Sequence, residues 1–170
     1  MFWKNQDEVY IIAEAGDQHF GSLDTAFKLV DGAKNAGANC IKFQHHLPDE
    51  EMLPDVPMSS NFDQPLYEFL KENALNISQH KKVKDYCEKL NIDYLCTPFS
   101  LKAAHELLTI DVKFFKIGSG EMTDTPTVSA VADMGLPMIV STGMSTFEEI
   151  DRTYQLLIKK NIPIALMNCT

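Results

Sequence analysis

The run FFKIGSGEMTDTP, residues 114–126, sets a β-forming segment against an abrupt polar break. Phe114, Phe115 and Ile117 predict a strand, yet Lys116 sits among them. Gly118, Ser119 and Gly120 follow at once, and then a carboxylate, Glu121. A single lysine in an apolar strand decides little, because its stem can pack while its ammonium snorkels to solvent or pairs with a carboxylate. The same arrangement at the ends of successive strands would decide the fold.

It does recur. VYIIAEAG (9–16) predicts a strand that ends in glycine, and Ala26, Leu29, Val30 and Ala33 form a helical stripe within 24–36, closed by Gly37. NCIKFQ (39–44) is a second strand, followed by a proline-rich insert, residues 45–64, that predicts a long loop. Loops of this length in compact domains are often functional. Helices are predicted over 66–72 and 78–90, with Ser78 as N-cap of the second. DYLCTPF (93–99), VKFFKIG (112–118), PMIVSTG (137–143) and IPIALMNCT (162–170) are further strands. Helices are expected between them at 101–109, from Pro126 to Met134, and from Phe147 to Lys160. Ser145 or Thr146 caps the last, with Glu148 and Glu149 in its first turn, where they suit the helix dipole.

Strands alternating with helices imply parallel βαβ units. No G-x-G-x-x-G follows the first strand, so a dinucleotide fingerprint is absent. The polar residues point to a barrel. Glu14, Lys42 with Gln44, Thr97, Lys116 with Ser119 and Glu121, Ser141 with Thr142, and Asn168 with Thr170 all fall at or just after strand C-terminal ends. In a (β/α)8 barrel those ends form the mouth that carries catalysis. The fold class expected is therefore α/β, a partial (β/α)8 TIM barrel with six βα units. A complete barrel needs eight strands and ~250 residues, so a fragment, or an oligomer covering the open strand edges, is expected.

Composition narrows the function. With 170 residues, 45% hydrophobic and 23% charged, the chain fits one soluble domain. No apolar run approaches the ~20 residues of a membrane span, and residues 1–8 lack an apolar signal core, so the compartment expected is cytoplasm. A net charge of −9 argues against nucleic-acid or membrane-surface partners. Cys40, Cys87, Cys96 and Cys169 form no C-x-x-C pair and are expected as buried, reduced thiols.

Lys42 and Lys116, with Thr97, Ser119, Ser141 and Thr142, make an anion site of point charges and hydroxyl donors. Gly118, Gly120 and Gly143 would let a ligand approach the backbone. Glu14 and Glu121 are either acid/base groups or partners in salt bridges, such as Glu121 with Lys116 or Lys42. His45 and His46 are adjacent and would face opposite ways on a strand, and His19 has no metal-motif partner. No complete metal site is expected within the chain, while His19 remains a candidate loop ligand or substrate contact.

Six segments in order resemble the signature motifs of the sialic acid synthase family: IIAEAGDQHFGS (11–22), AGANCIKFQHH (36–46), DYLCTPFS (93–100), FFKIGSGEMTDTP (114–126), PMIVSTGMST (137–146) and EEI (148–150). The family condenses phosphoenolpyruvate with N-acetylmannosamine or a related amino sugar. Its fold is a (β/α)8 barrel followed by a small antifreeze-like domain, and it forms homodimers. The resemblance covers residues 1–170 as the N-terminal part of the barrel, with the last two strands and the antifreeze-like domain having no counterpart.

By this resemblance Lys42, Thr97, Lys116, Ser119 and Ser141 hold phosphoenolpyruvate. Glu14 and Gln44 lie near the sugar, and Asn61 in the insert contacts it. Glu121 sits beside the reacting carbons, with Glu121, Glu14 and Lys116 as the catalytic group. The divalent metal, Mn²⁺ or Mg²⁺, has its main ligands outside this chain, so the isolated chain is expected to be inactive or nearly so. The product implied is a nine-carbon, sialic-acid-like 2-keto acid, released with phosphate. Two departures stand out: Gln18-His19 where the family has Asn-His, and Asn168-Cys169-Thr170 where it often has His-Cys-Thr. The residues alone also admit a Schiff-base aldolase using Lys116 or Lys42, or a non-catalytic half-barrel that binds phosphoenolpyruvate.

Overall fold

Strands form where β-branched and aromatic residues cluster, and each of the first five leads on to at least one helix. A computed structural model describes residues 9–55, 58 and 64–170. The sheet order follows the chain order, β1 to β6. They are β1 (Ile12–Gly16), β2 (Cys40–His45), β3 (Asp93–Pro98), β4 (Phe115–Ile117), β5 (Met138–Ser141) and β6 (Ile164–Met167). β1–β2, β3–β4, β4–β5 and β5–β6 are all parallel. Doubly wound sheets reverse their strand order at a switch point. This order has no reversal, as the strands of a (β/α) barrel require.

The chain divides into two compact units, Met1–Tyr94 and Leu95–Thr170. In the first, α1 (Leu23–Asn35) buries the predicted Ala26, Val30 and Ala33, and Ser22 caps it by accepting the Thr25 N–H. The insert carries a short 3-10 turn at Pro48–Glu50, then α2 (Leu66–Asn73) and α3 (Ile77–Lys89). The cap of α3 is Asn76, not Ser78. Its side chain accepts from Gln79 N–H at 3.0 Å, and Gln79 Oε1 accepts from Asn76 N–H at 2.9 Å. That reciprocal box satisfies two orphan donors, which a lone serine two residues later cannot do.

In the second unit, α4 (Leu101–Leu108) is capped by Ser100 and α5 (Thr125–Ala132) by Asp124. Thr146, not Ser145, caps α6 (Phe147–Ile158), in a capping box with Glu149. Hydrogen bonding lowers the Glu149 pKa, the Thr146 backbone N–H first and its hydroxyl next. Buried Phe115, Met138 and Leu157 fill the space between strands and helices. Leu157→Ala should cost about 2–5 kcal/mol, since truncation of a fully buried leucine leaves a cavity that relaxes only in part. Urea denaturation checks this, and a loss below about 1 kcal/mol would show that α6 is not anchored there.

Cys40, Cys87 and Cys96 are buried free thiols, as expected, and burial pushes the first two up to about 12. Cys169 departs from the expectation. β6 ends at Met167, so Cys169 lies beyond the strand and is exposed.

Candidate functional site

Residues of the first unit cluster at the ends of β1 and β2. The register pairs Glu14 with Lys42, so their side chains share a face and form an ion pair. Lys42 is mostly buried and Glu14 half exposed. Gln44 follows on the same face of β2, because alternate strand residues point the same way. Gly16 has a positive φ of 51°, and a Cβ there would lie 3.4 Å from Glu14 Oε1 and 3.7 Å from Gln44 Nε2. The glycine thus borders the group predicted to meet the sugar. Asn61, the other predicted sugar contact, lies outside the described residues.

His46, just past β2, is 3.0 Å from Gln44 Oε1 through Nε2 and 2.7 Å from Glu51 Oε2 through Nδ1. Asp17 Oδ2 stands 3.4 Å from the same Nε2. Burial opposes a charged His46, but hydrogen bonds and charge from Asp17 and Glu51 outweigh it and raise its pKa to about 9. His45 turns the other way, its ring 4.7 Å from that of His80 on α3. His80 meets Tyr94 OH at 2.8 Å, and burial, then the charge of neighbouring histidines, lowers its pKa well below the usual value. His19 accepts the Gly21 N–H at Nδ1, and burial holds its pKa down against the opposing charge of Asp17. It is fully buried. Among the described residues no group of three His, Cys, Asp or Glu could hold a metal ion.

The second unit carries Thr97, Lys116, Ser119 and Ser141, the residues expected to bind an anion, at the ends of β3, β4 and β5. Lys116 is 5% exposed, and its Nζ donates to Ile117 O at 2.7 Å and to Ser141 Oγ at 2.5 Å. Thr97 and Ser141 are buried too. Ser119 Oγ accepts the Gly143 N–H at 3.0 Å, joining the loops after β4 and β5. Gly143 has no room for a side chain, because a Cβ would meet Thr170 O at 2.5 Å and Ser119 Oγ at 2.9 Å. Glu121 folds its carboxylate back over Gly118, onto the place a Cβ of that residue would occupy, with the Thr97 methyl beside it at 4.0 Å. Behind this loop Thr153 of α6, buried, donates to Met122 O at 3.0 Å. The Cys169 thiol is lowered, first by its hydrogen bond with Ser141, against burial, and further by the Thr142 backbone, Lys116 and the Gly143 backbone.

The structure therefore brings Lys116 to Ser141, and Glu121 to Gly118 and Thr97, within one unit. It brings Glu14, Lys42 and Gln44 together within the other. Sequence reasoning missed the Asp17–His46–Glu51 network. Its members lie five and more residues apart in segments that carry no periodicity, and the only available signal was an acidic insert beside a histidine.

The model of the NeuB family matches residues 29–170. The chain is 33% identical to the N-acetylneuraminate-9-phosphate synthase of Drosophila melanogaster, over 96% of this chain and 45% of that protein. It is also 33% identical to the N,N'-diacetyllegionaminic acid synthase of Campylobacter jejuni, over 94% of this chain and 51% of that one. Among solved structures it resembles the sialic acid synthetase of Leptospira borgpetersenii in complex with citrate. The TM-score is 0.84 at 31% identity, covering 93% of this chain and 53% of that one. The chain spans about half the length of the curated relatives it matches. Matched along most of its length, and similar to these synthases in both sequence and fold, the chain belongs to the NeuB family, the sialic acid synthase family its motifs resemble.

Proposed function

We propose that this chain carries part of the catalytic barrel of a C–C bond-forming transferase. The enzyme condenses phosphoenolpyruvate with an N-acetylmannosamine-type amino sugar and releases phosphate. The observation that carries this is the buried ammonium of Lys116, fixed between Ile117 O and Ser141 Oγ at a strand end beside Ser119. A desolvated, oriented cation stabilises the charge of a phosphate or carboxylate far better than one in water.

In this reading Lys116, Thr97, Ser119 and Ser141 hold phosphoenolpyruvate, and Lys42 adds a second positive charge. Glu14, Gln44 and Asn61 orient the sugar. C3 of phosphoenolpyruvate bonds to the sugar's aldehyde carbon, leaving C2 electron-poor. Water adds at C2, and phosphate leaves with cleavage of its C–O bond. Glu121 takes the proton that the water loses on attacking C2; the former aldehyde oxygen takes up a proton and becomes a hydroxyl, and C3 keeps both its hydrogens. No group of three His, Cys, Asp or Glu among the described residues could hold a metal ion. The divalent ion, Mn²⁺ or Mg²⁺, is proposed to bind residues outside this chain. A cytoplasmic homodimer is the matching proposal for compartment and assembly. No helix among the described residues is long and apolar enough to cross a membrane.

Lys116 Nζ donates to two oxygens at the strand end, the placement of an anion-binding group, whereas a Schiff-base nucleophile would need its lone pair free and aimed at a carbonyl. The test uses the protein as expressed from its own gene, with phosphoenolpyruvate, manganese and a set of N-acetylated amino sugars, free and 6-phosphorylated. Phosphate and a nine-carbon 2-keto acid should appear in equal amounts, and only when both substrates are present. A borohydride-trapped substrate adduct would instead establish an aldolase. Phosphoenolpyruvate binding without turnover of any sugar would leave a binding half-barrel.

A further inference from the structure

Gln44 poses a question of direction. A glutamine side chain ends in a carbonyl oxygen, which accepts, and an NH2 group, which donates, and the two are almost the same shape. Whichever end faces the ligand decides what Gln44 can recognise. The neighbours of His46 settle this. Its Nδ1 lies 2.7 Å from Glu51 Oε2, and a carboxylate only accepts, so Nδ1 carries a proton. Its Nε2 faces Gln44 Oε1 at 3.0 Å and Asp17 Oδ2 at 3.4 Å. A ring set between two carboxylates, 6% exposed, is held as imidazolium, so Nε2 is a donor as well. An N–H at Nε2 can meet only the carbonyl end of Gln44.

The anchor is itself anchored. Glu51 spends one oxygen on His46 and the other on the backbone N–H of Leu47, so the carboxylate closes a ring around the start of the insert. Among the described residues, Asp17, Gln44 and Glu51 face His46, with the ring of His19 nearby, on which the His46 charge acts. The NH2 end of Gln44 is left on the side of Gly16, where an added Cβ would lie 3.7 Å from Nε2.

We infer that His46, held by Glu51, is a positioning residue that locks the Gln44 amide with its NH2 end toward the ligand, so that Gln44 selects an acceptor oxygen on the amino sugar. The inference rests on the proposed function for the identity of that ligand, and on the geometry of the first unit alone for the lock. It makes the acidic insert a specificity element. Both oxygens of Glu51 are engaged by His46 and the Leu47 N–H, and through His46 it decides which end of Gln44 the substrate meets.

Two measurements on the protein as expressed from its own gene test this. In ¹⁵N-histidine-labelled protein without substrate, long-range ¹H–¹⁵N correlation should show both ring nitrogens of His46 protonated at pH 7. A neutral His46 overturns the lock. In kinetics, His46→Leu and Glu51→Gln should each raise KM for the amino sugar about tenfold or more while KM for phosphoenolpyruvate stays within about twofold. Glu51→Gln keeps the ring and its packing, so it remains informative if His46→Leu fails to fold. Equal shifts in both KM values, or none in either, overturn the specificity role. A wild-type protein that turns over no amino sugar removes the proposed function instead, and the protonation of His46 then decides the lock by itself.

Discussion

Lys116→Met lowers kcat/KM for phosphoenolpyruvate by about 10²- to 10³-fold, a loss of about 2.7–4 kcal/mol of transition-state stabilisation. Methionine keeps much of the volume of the buried stem but removes the donor that meets Ile117 O and Ser141 Oγ. The charge is what a phosphate or carboxylate needs, and in a buried site no water can replace it. Ser141 keeps its hydroxyl, so any remaining binding in the variant measures the hydroxyls and backbone donors alone. Lys116→Arg should recover little, because a planar fork does not fit the place of a point charge between these two oxygens. Steady-state kinetics with varied phosphoenolpyruvate checks the claim. Activity within about tenfold of wild type would show that the buried ammonium is structural.

Gly118→Ala should cost about 10²-fold in kcat while leaving stability nearly unchanged. The new methyl falls where the Glu121 carboxylate lies. That carboxylate is the far end of a flexible side chain, so it swings aside with little effect on folding. Displacing a proton-transfer group by about 1 Å is enough for a loss of that order. The same methyl added to Glu121→Ala should have no further effect, since the atom it displaces is gone. Such non-additivity identifies contact between the two positions. A variant equally slow in both backgrounds would place the damage in the backbone rather than in Glu121, and unchanged activity in the wild-type background would remove Glu121 from the chemistry.

The order of elements was readable because each strand is a short apolar run closed by glycine or a polar residue, and each helix carries a cap and a stripe. Strand lengths were overestimated. Residues 112–118 read as one strand, yet only Phe115–Ile117 pair on β4, because hydrogen-bonded partners, not β propensity, set the ends. The placement of the candidate residues at strand ends was legible. Their pairings were not. Lys42 meets Glu14 because the β1–β2 register places them side by side, and Lys116 meets Ser141 from the neighbouring strand. Register is a property of two strands, and neither strand alone contains it. The His46 network was hidden for a related reason, since Asp17 reaches it from the end of the neighbouring strand and Glu51 from a turn of the insert that carries no periodicity.

The hydroxyls of Ser119 and Thr153 hold the loops after β4 and β5 at two points. One ties Gly143 across to the β4 loop, and the other ties that loop back to the helix that β5 leads into. A segment fastened to its neighbour front and back cannot fray by itself. The two loops therefore open and close as a single cooperative unit. Were an anion to order the loop at Ser119, the loop at Gly143 would be held with it, and Glu121, in the same loop as Ser119, would be steadied too.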